Sequence, residues 1–269
     1  MAAAEPLVLV TGASGFIATH IVRQLLEQGF KVRGTVRSLS NESKVAPLQK
    51  LYPQAKHPLE LVQADLLDPA CWSAAVDGCT YVLHTASPFP AENPADENEL
   101  IKPAVDGTLN VLNACKAMQC VKRVVLTSSV AAISGGFETE TDHVFTEADW
   151  PDVGGSIGPY MKSKTLAEKA AWDFIEGLSG DRFELAVVNP SYVVGPVLCG
   201  GMSTSMELPK RLMLRDMPML PKMYFPCVDV RDVATAHIKA MTVAEAVGNR
   251  HIIHGEGLWL STNRKDPVQ

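Results

Sequence analysis

The feature that most constrains this chain is a glycine-containing turn near its N-terminus, Thr11-Gly12-Ala13-Ser14-Gly15-Phe16-Ile17. It follows a short apolar run, Leu7-Val8-Leu9-Val10, and precedes residues 18–26, in which apolar side chains recur at helical spacing. The pattern predicts a strand, a tight turn and a helix. Gly12 suits the turn and Gly15 leaves room for a pyrophosphate, which the free N–H groups of the new helix can bind. We therefore expect a dinucleotide site here, against the alternative of an ordinary strand-to-helix turn.

Strand-like and helix-like segments alternate along the rest of the chain. The predicted strands are 31–37, 59–65, 81–86, 123–129 and 183–189, and the predicted helices are 41–52, 69–76, 98–118 and 159–178. Such alternation implies right-handed crossovers and a parallel sheet, and the continuous apolar strands suit a sheet covered on both faces. The expected fold class is α/β, a Rossmann-type doubly wound parallel sheet. We expect one domain over 1–269, with 190–227 and 251–269 contributing to a small substrate lobe.

Composition narrows the classes of function. The chain has 269 residues, 46% of them hydrophobic, and a net charge of −6, so it can bury a core but lacks the basic face needed for nucleic acid or an anionic membrane. No apolar run approaches the length of a membrane span, and the first residues do not resemble a signal peptide. The six cysteines include no Cys-x-x-Cys pair, which favours reduced thiols. These features predict a cytoplasmic protein.

A second motif, Tyr160-Met161-Lys162-Ser163-Lys164, places Tyr160 and Lys164 on one helix face. A cation about 4 Å from a phenol, at an effective dielectric constant of about 20, is worth on the order of 4 kcal/mol. That energy corresponds to roughly three pKa units, which would bring a tyrosine toward neutrality and suit it for general acid–base catalysis. The alternative is a surface pair with no chemical role, because this spacing is common on helices.

Two further positions suggest chemistry. Ser129 follows the predicted strand 123–129, where its hydroxyl can bind a carbonyl oxygen, although it could equally cap a loop. Arg37 ends the second strand and Lys44 follows it, with no acidic residue at the strand end. Two cations suit the 2′-phosphate of NADPH, whereas an acid there would favour NAD. The alternative is that both cations are ordinary surface charges.

The remaining polar features carry less functional information. Residues 135–158 are rich in acids around Trp150, and we interpret them as a solvated loop or as a wall of the substrate cleft. Residues 190–226 are rich in proline, glycine and methionine and interrupt the sheet pattern. His84 and His237 lie within predicted elements and are expected to be structural. Metal-ligand spacing is absent among His57, His143, His251 and His254, so no metal is expected.

Taken together, these motifs resemble the extended short-chain dehydrogenase/reductases. Within them the chain is similar to the dihydroflavonol 4-reductase-like group, which includes anthocyanidin and cinnamoyl-CoA reductases and the yeast methylglyoxal (carbonyl) reductase. The resemblance runs from about Leu7 to His254. Besides the glycine turn, the matching segments are Thr35-Val36-Arg37, Ala64-Asp65-Leu66, His84-Thr85-Ala86-Ser87-Pro88-Phe89, 123–129, 160–172, 188–196 and 228–234.

The resemblance implies an NADPH-dependent reductase (cofactor NADPH/NADP+) acting on a small-molecule carbonyl substrate. Tyr160 would protonate the substrate oxygen, Lys164 would hold the nicotinamide ribose, and Ser129 would orient the carbonyl. The implied cofactor contacts are Gly12, Ser14, Gly15, Phe16 and Ile17 at the turn, Arg37 and Lys44 at the 2′-phosphate, Asp65 and Leu66 at the adenine, Thr85, Ala86 and Ser87 along the channel, Thr127, Tyr160 and Lys164 near the reacting centre, and Pro190, Val193 and Ser205 beside the nicotinamide.

Two departures from the family pattern bear on activity. Ala18 stands where a third glycine is usual, and alanine is small enough for close packing. After His254 the chain has Gly255-Glu256-Gly257-Leu258-Trp259-Leu260 and then a polar end at Gln269, whereas the family continues with helices that complete the substrate lobe. A catalytically impaired protein that only binds NADP(H) is therefore an alternative, as is a hydroxysteroid dehydrogenase or epimerase on the same scaffold. The chain is expected to be a monomer or homodimer, with no nucleic-acid or membrane partner.

Overall fold

The computed structural model describes residues 5–88, 96–135, 143–180, 183–199, 204–216 and 224–259. Seven strands form one sheet in the order β10-β6-β5-β4-β1-β2-β3, and every neighbouring pair is parallel. The predicted doubly wound α/β fold is therefore confirmed. The strands of this sheet are β1 (Leu7–Val10), β2 (Lys31–Val36), β3 (Glu60–Gln63), β4 (Tyr81–His84), β5 (Arg123–Thr127), β6 (Glu184–Pro190) and β10 (Arg250–Ile253).

Helices cover both faces of the sheet. On one face α1 and α8 pack together over a core that includes Ile21, Leu25 and Met241, and on the other face α4 and α6 contribute Leu112 and Ala171. Burial of both sheet faces accounts for the apolar strands. The helices in the described residues are α1 (Phe16–Glu27), α2 (Glu42–Gln49), α3 (Trp72–Val76), α4 (Asn98–Met118), α5 (Ala131–Ser134), α6 (Pro159–Glu176), α7 (Thr204–Met213) and α8 (Val230–Thr242).

The order of the strands reverses at β1. From β1 the chain builds outward through β2 and β3 on one side, and it then returns to form β4, β5 and β6 on the other side. In open α/β sheets, ligands bind in the crevice beyond the carboxyl ends of the strands at such a reversal. The ends of β1 and β4 therefore define where a ligand is expected.

Element boundaries follow the sequence prediction closely in the helices and less closely at the strand ends. The predicted helix 98–118 is identical to α4, whereas the strands predicted to end at residues 86 and 129 stop at His84 and Thr127. The predicted helix 69–76 begins as a 3-10 turn, Pro69–Cys71, before α3. Among the described helices, none is both long enough and apolar enough to cross a bilayer.

Two short strand pairs lie outside the main sheet, in the region where the sequence predicts a small lobe. In it β7 (Tyr192–Val194) pairs in parallel with β9 (Cys227–Asp229), and β8 (Tyr224–Phe225) pairs antiparallel with β11 (Leu258–Trp259). Residues 251–253, which the sequence placed in the lobe, instead belong to β10 of the main sheet because they pair with the end of β6. The predicted lobe also includes residues 260–269, which lie outside the described residues. Glu138, Glu140 and Asp142 of the acidic segment 135–158 lie outside them as well.

Candidate active site

Thr11, the last residue before the glycine turn, joins the ends of β1 and β4. Its hydroxyl contacts His84 Nδ1 at 2.8 Å and accepts hydrogen bonds from the N–H groups of Thr85 at 3.1 Å and Ala86 at 3.0 Å. The Thr85 hydroxyl donates in turn to the Thr11 carbonyl at 2.5 Å. These contacts hold the glycine turn against the Thr85–Ser87 segment, so the two sets of predicted cofactor residues share one edge of the sheet.

The glycine turn has the geometry of an anion cradle. Gly12 has a φ of +63°, and a Cβ added there would lie 3.1 Å from the Ala86 Cβ; one added at Gly15 would lie 3.1 Å from the Gly12 carbonyl oxygen. No side chain caps α1, which leaves its first N–H groups for another acceptor. Ala18 packs in the core, as its size predicts. A phosphate at the start of this helix fits both the space and the donors.

Arg37 and Lys44 lie beyond the end of β2. Arg37 is exposed and Lys44 is half-buried, and neither side chain has an ion-pair partner among the described residues. Asp65 follows β3, the neighbour of β2, and one of its carboxylate oxygens accepts a hydrogen bond from Leu67 N–H at 2.9 Å. Leu66 packs against α4, where Asn110 donates to the Leu66 carbonyl at 2.8 Å. The edge of the sheet next to the glycine turn thus carries two uncompensated cations.

Ser129 and Tyr160 are brought together from different elements. Ser129 lies two residues beyond the end of β5, and Tyr160 is the second residue of α6, whose N-terminus begins at Pro159 after Gly158. The two side chains are hydrogen-bonded to each other. Burial raises the pKa of Tyr160, and the hydrogen bond from Ser129 opposes that rise. A raised pKa keeps the phenol protonated at neutral pH, although it makes the group a weaker acid than a phenol tuned toward neutrality.

Lys164 lies one helical turn beyond Tyr160 and is only 8% exposed. Its ammonium donates to Ser87 Oγ at 3.0 Å and lies 5.9 Å from the centroid of the Tyr160 ring. Burial lowers the pKa of Lys164 to about 8, although the negative charge of Glu168 opposes the shift. The chain therefore holds an amine close to its titration point beside the candidate acid.

The expected lowering of the Tyr160 pKa by Lys164 is wrong for this structure. The pKa of Tyr160 is raised, because burial outweighs every stabilisation of the phenolate. The ammonium donates to Ser87 and lies over the ring rather than at the hydroxyl. Its charge therefore does not stabilise the phenolate oxygen, contrary to what the helical spacing alone would predict. Spacing along a helix predicted the proximity of the pair but not its electrostatic outcome.

The residues predicted beside the nicotinamide come from the end of β6 and from the lobe. The Pro190 carbonyl accepts a hydrogen bond from Val130 N–H at 3.0 Å, which places it beside the Ser129 segment. Val193 packs in a small apolar cluster that also contacts Phe16 and Ile17 of α1. Ser205 lies in α7, and its carbonyl accepts a hydrogen bond from the Tyr192 hydroxyl. Val193 and Pro190 thus adjoin the turn and the catalytic candidates, and Ser205 is attached through Tyr192.

The structure adds a buried charged cluster that the sequence analysis did not single out. Glu168, in α6, pairs with Arg250 of β10 at 2.6 Å and accepts hydrogen bonds from Ser128 at 2.5 Å and from Asn189 at 2.9 Å. The available signal was the position of Glu168 four residues after Lys164, on the same helix face. Its partners lie far away in sequence, so the cluster itself had no local signature.

The two histidines expected to be structural are buried. His84 binds Thr11, and burial lowers its pKa to about 3. His237 in α8 contacts the Thr127 hydroxyl at 2.7 Å, and burial lowers its pKa to about 4. Both rings are therefore neutral at physiological pH. Within the described ranges, no cluster of three or more potential ligands suits a metal ion.

The fold and the glycine turn define a dinucleotide-binding protein of the Rossmann type. The family described as NAD dependent epimerase/dehydratase matches residues 8–254, which is most of the chain. The chain therefore belongs to this family, whose members are extended short-chain dehydrogenase/reductases, as the sequence motifs predicted.

Named relatives support the same placement. A cinnamoyl-CoA reductase of Medicago truncatula is 42% identical over 253 residues, which span 92% of this chain and 75% of that protein. Among solved structures, Gre2 of Candida albicans in complex with NADPH has a TM-score of 0.84 at 35% identity and covers 95% of this chain and 80% of its own. The yeast methylglyoxal/isovaleraldehyde reductase Gre2 with NADPH has a TM-score of 0.80 at 35% identity, with 93% and 78% covered. The chain thus spans roughly three quarters of the length of these proteins.

Proposed function

We propose that the chain is an NADPH-dependent reductase that converts an aldehyde or ketone to an alcohol. The observation that carries the proposal is the Ser129–Tyr160 hydrogen bond beside Lys164, at the sheet edge that also holds the glycine turn. The similarity to two Gre2 structures in complex with NADPH supports the choice of cofactor. The family match makes the chain an oxidoreductase of the extended short-chain family.

The proposed cofactor contacts follow from the shape and charge of the edge. Gly12 and Gly15 give the pyrophosphate room against the start of α1, and a side chain at either position would fill that space. Arg37 and Lys44 are available for the 2′-phosphate because no carboxylate within the described residues neutralises them. When bound, the reduced nicotinamide would supply the hydride.

The proton would come from the protein. Tyr160, protonated at neutral pH and hydrogen-bonded to Ser129, would donate the proton to the carbonyl oxygen as the carbon receives hydride. Ser129, hydrogen-bonded to Tyr160, orients the same oxygen. Lys164, anchored by Ser87 with its ammonium over the Tyr160 ring, would donate to the nicotinamide ribose as a protonated amine. The products are the alcohol and the oxidised cofactor.

For the substrate, we propose only the segments that would cover the site and the class of compound that would bind. The segments 190–227 and 254–259 would form a partial lobe over the site, as the pairing of β8 with β11 supports. Relatives named as cinnamoyl-CoA, dihydroflavonol and methylglyoxal reductases suggest carbonyl substrates of very different size. A monomer or homodimer acting on a small molecule in the cytoplasm remains the prediction.

The test is a panel of carbonyl compounds, including methylglyoxal, assayed with NADPH and with NADH. We expect NADPH oxidation on at least one compound, and Tyr160→Phe should abolish turnover while NADPH still raises the melting temperature. Normal turnover by Tyr160→Phe would overturn the mechanism.

Two other outcomes identify the alternatives. NADPH-dependent stabilisation without turnover on any compound would favour a protein that only binds NADP(H). A nucleotide absorbance retained through purification would favour an epimerase-type enzyme, which the Arg37 environment disfavours.

A further inference from the structure

A small cavity lies beside Lys164. It has a volume of about 10 Å³ and its polar lining residues include Lys164, Glu168, Ser87, Thr108 and Ser128, next to the apolar Ala86, Leu126 and Ala167. A buried water needs a volume of about 10–15 Å³ and two to four polar partners. The cavity therefore has the size and the lining for one water molecule between an amine and a carboxylate.

The carboxylate on this cavity is fixed. Glu168 is 1% exposed, and one of its oxygens accepts from Arg250 Nε at 2.6 Å. The other oxygen accepts from Ser128 at 2.5 Å and from Asn189 at 2.9 Å. These three donors and the pairing with a guanidinium set the orientation of the carboxylate.

Arg250 is in turn held by backbone carbonyls. Its Nη1 donates to Glu147 O at 2.9 Å and to Asp149 O at 2.6 Å, and its Nη2 donates to Ala132 O at 2.6 Å. The guanidinium thus cannot leave Glu168 without abandoning three other acceptors. This anchoring fixes the position of the Glu168 carboxylate next to the cavity.

Lys164 has no direct ion pair with Glu168, since the two charged groups do not come within 4 Å in the described structure. The ionisable groups around Lys164 are His84 from β4, which is neutral, and Tyr160 and Glu168 from α6. The loop after β4 presents Ser87 and α4 presents Thr108, both uncharged. Within the described ranges, Glu168 is the carboxylate whose charge acts on Lys164.

We propose that Glu168, held by Arg250, is a positioning residue that serves as the counter-ion of the Lys164 ammonium and acts through one water in this cavity. Its importance for turnover rests on the proposed function, in which Lys164 must be protonated. Burial alone would favour the neutral amine, and the fixed carboxylate opposes that tendency.

The direct test is the titration of Lys164 in the full chain, labelled with ¹³C at the lysine ε-carbons and followed by NMR, with the resonance assigned by Lys164→Arg. Glu168→Gln is expected to lower the Lys164 pKa by about one unit. The matched control is Glu184→Gln, which removes a carboxylate of a second arginine pair, with Arg123, away from the cavity. An unchanged Lys164 pKa in folded Glu168→Gln would overturn the proposal.

Two further variants keep the test decisive. Glu168→Gln leaves Arg250 buried without its partner, so the double variant Glu168→Gln/Arg250→Met removes both charges and is easier to fold. This double variant is expected to lower the Lys164 pKa by less than Glu168→Gln does. An unchanged Lys164 pKa in the double variant would count against Glu168 as the counter-ion. Thr108→Val retains both charges but removes a polar wall of the cavity. A lower Lys164 pKa in this variant supports the bridging water, and an unchanged one would overturn that part.

Kinetics separate this inference from the proposed function. If the chain reduces carbonyls, the alkaline limb of kcat/KM should move to lower pH in Glu168→Gln, whereas a purely structural role would lower activity at every pH alike. If wild-type protein shows no turnover while the NMR shift is present, the proposed function fails and the counter-ion stands.

Discussion

The guanidinium carbon of Arg250 lies 3.7 Å from the centroid of the Trp150 ring. Through this contact a strand late in the chain meets the segment that leads into α6, and the ring is flanked by Lys169 Nζ at 5.3 Å. The segment around Trp150 is therefore not only a solvated acidic loop. Its backbone carbonyls and its tryptophan enclose the cation that binds Glu168.

Replacing Trp150 should destabilise the fold. A desolvated cation–π contact is worth up to about 2 kcal/mol, so Trp150→Ala is expected to lower the free energy of unfolding by about 1–2 kcal/mol. Denaturation by urea measures the change. Trp150→Phe retains an aromatic face and should lose less, and an equal loss in both variants would show that the ring face is not what matters.

Replacing Gly12 should weaken cofactor binding in addition to lowering the stability of the fold. Gly12→Ala places a Cβ 3.1 Å from the Ala86 Cβ at a φ of +63°, whereas Gly29→Ala has a similar φ of +81° with nothing within 4 Å. Both variants should lose about 1–2 kcal/mol of stability from the left-handed backbone. Only Gly12→Ala should also weaken NADPH binding, by about tenfold or more. Calorimetric titration checks this, and equal affinities in the two variants would contradict the cradle.

Arg37 should distinguish NADPH from NADH. A hydrogen bond to a charged group contributes about 1.5–3 kcal/mol, so Arg37→Ala is expected to weaken NADPH binding roughly 10- to 100-fold and to leave NADH binding nearly unchanged. Dissociation constants for both cofactors provide the measurement. Lys50→Ala, an exposed cation at the end of α2, is the matched control. Parallel losses for both cofactors would remove Arg37 from the 2′-phosphate site.

The sequence predicted those parts of the site that depend on local spacing. Tyr160 and Lys164 are one helical turn apart, so their proximity needed only the helix, and the apolar repeat of 98–118 predicted α4 to the residue. The glycine turn was recognisable because its strand, turn and helix are contiguous.

The rest of the site depends on contacts between distant residues. Glu168 and Arg250 are 82 residues apart, and their pairing requires β10 to lie beside β6. The segment 251–253 was assigned to the lobe because nothing local marks a short edge strand that follows a helix and a 3-10 turn. The spacing of the motif predicts the wrong direction for the Tyr160 pKa shift for a related reason. The degree of burial, which raises this pKa, is set by the packed fold and not by the spacing.

The buried Lys164 should make the stability of the protein depend on pH in the alkaline range. Burial lowers its pKa from 10.5 to about 8, so between these values the unfolded chain binds more protons than the folded chain. The contribution of this group to the free energy of unfolding therefore rises as pH increases from about 8 to 10.5, by about 3 kcal/mol in total. Below pH 8 Lys164 is protonated in both states, so the full cost of burying its ammonium lowers the free energy of unfolding.

Lys164→Met isolates this effect. The variant should be more stable than wild type at pH 7, and its advantage should shrink as pH rises through 8 to 10.5. Urea denaturation at a series of pH values measures the difference. Lys162→Met on the same helix removes an amine that pairs with Glu97 at 3.0 Å, and it should give no such gain. An advantage for Lys164→Met that is constant from pH 7 to 10.5 would mean that the buried amine is not what titrates.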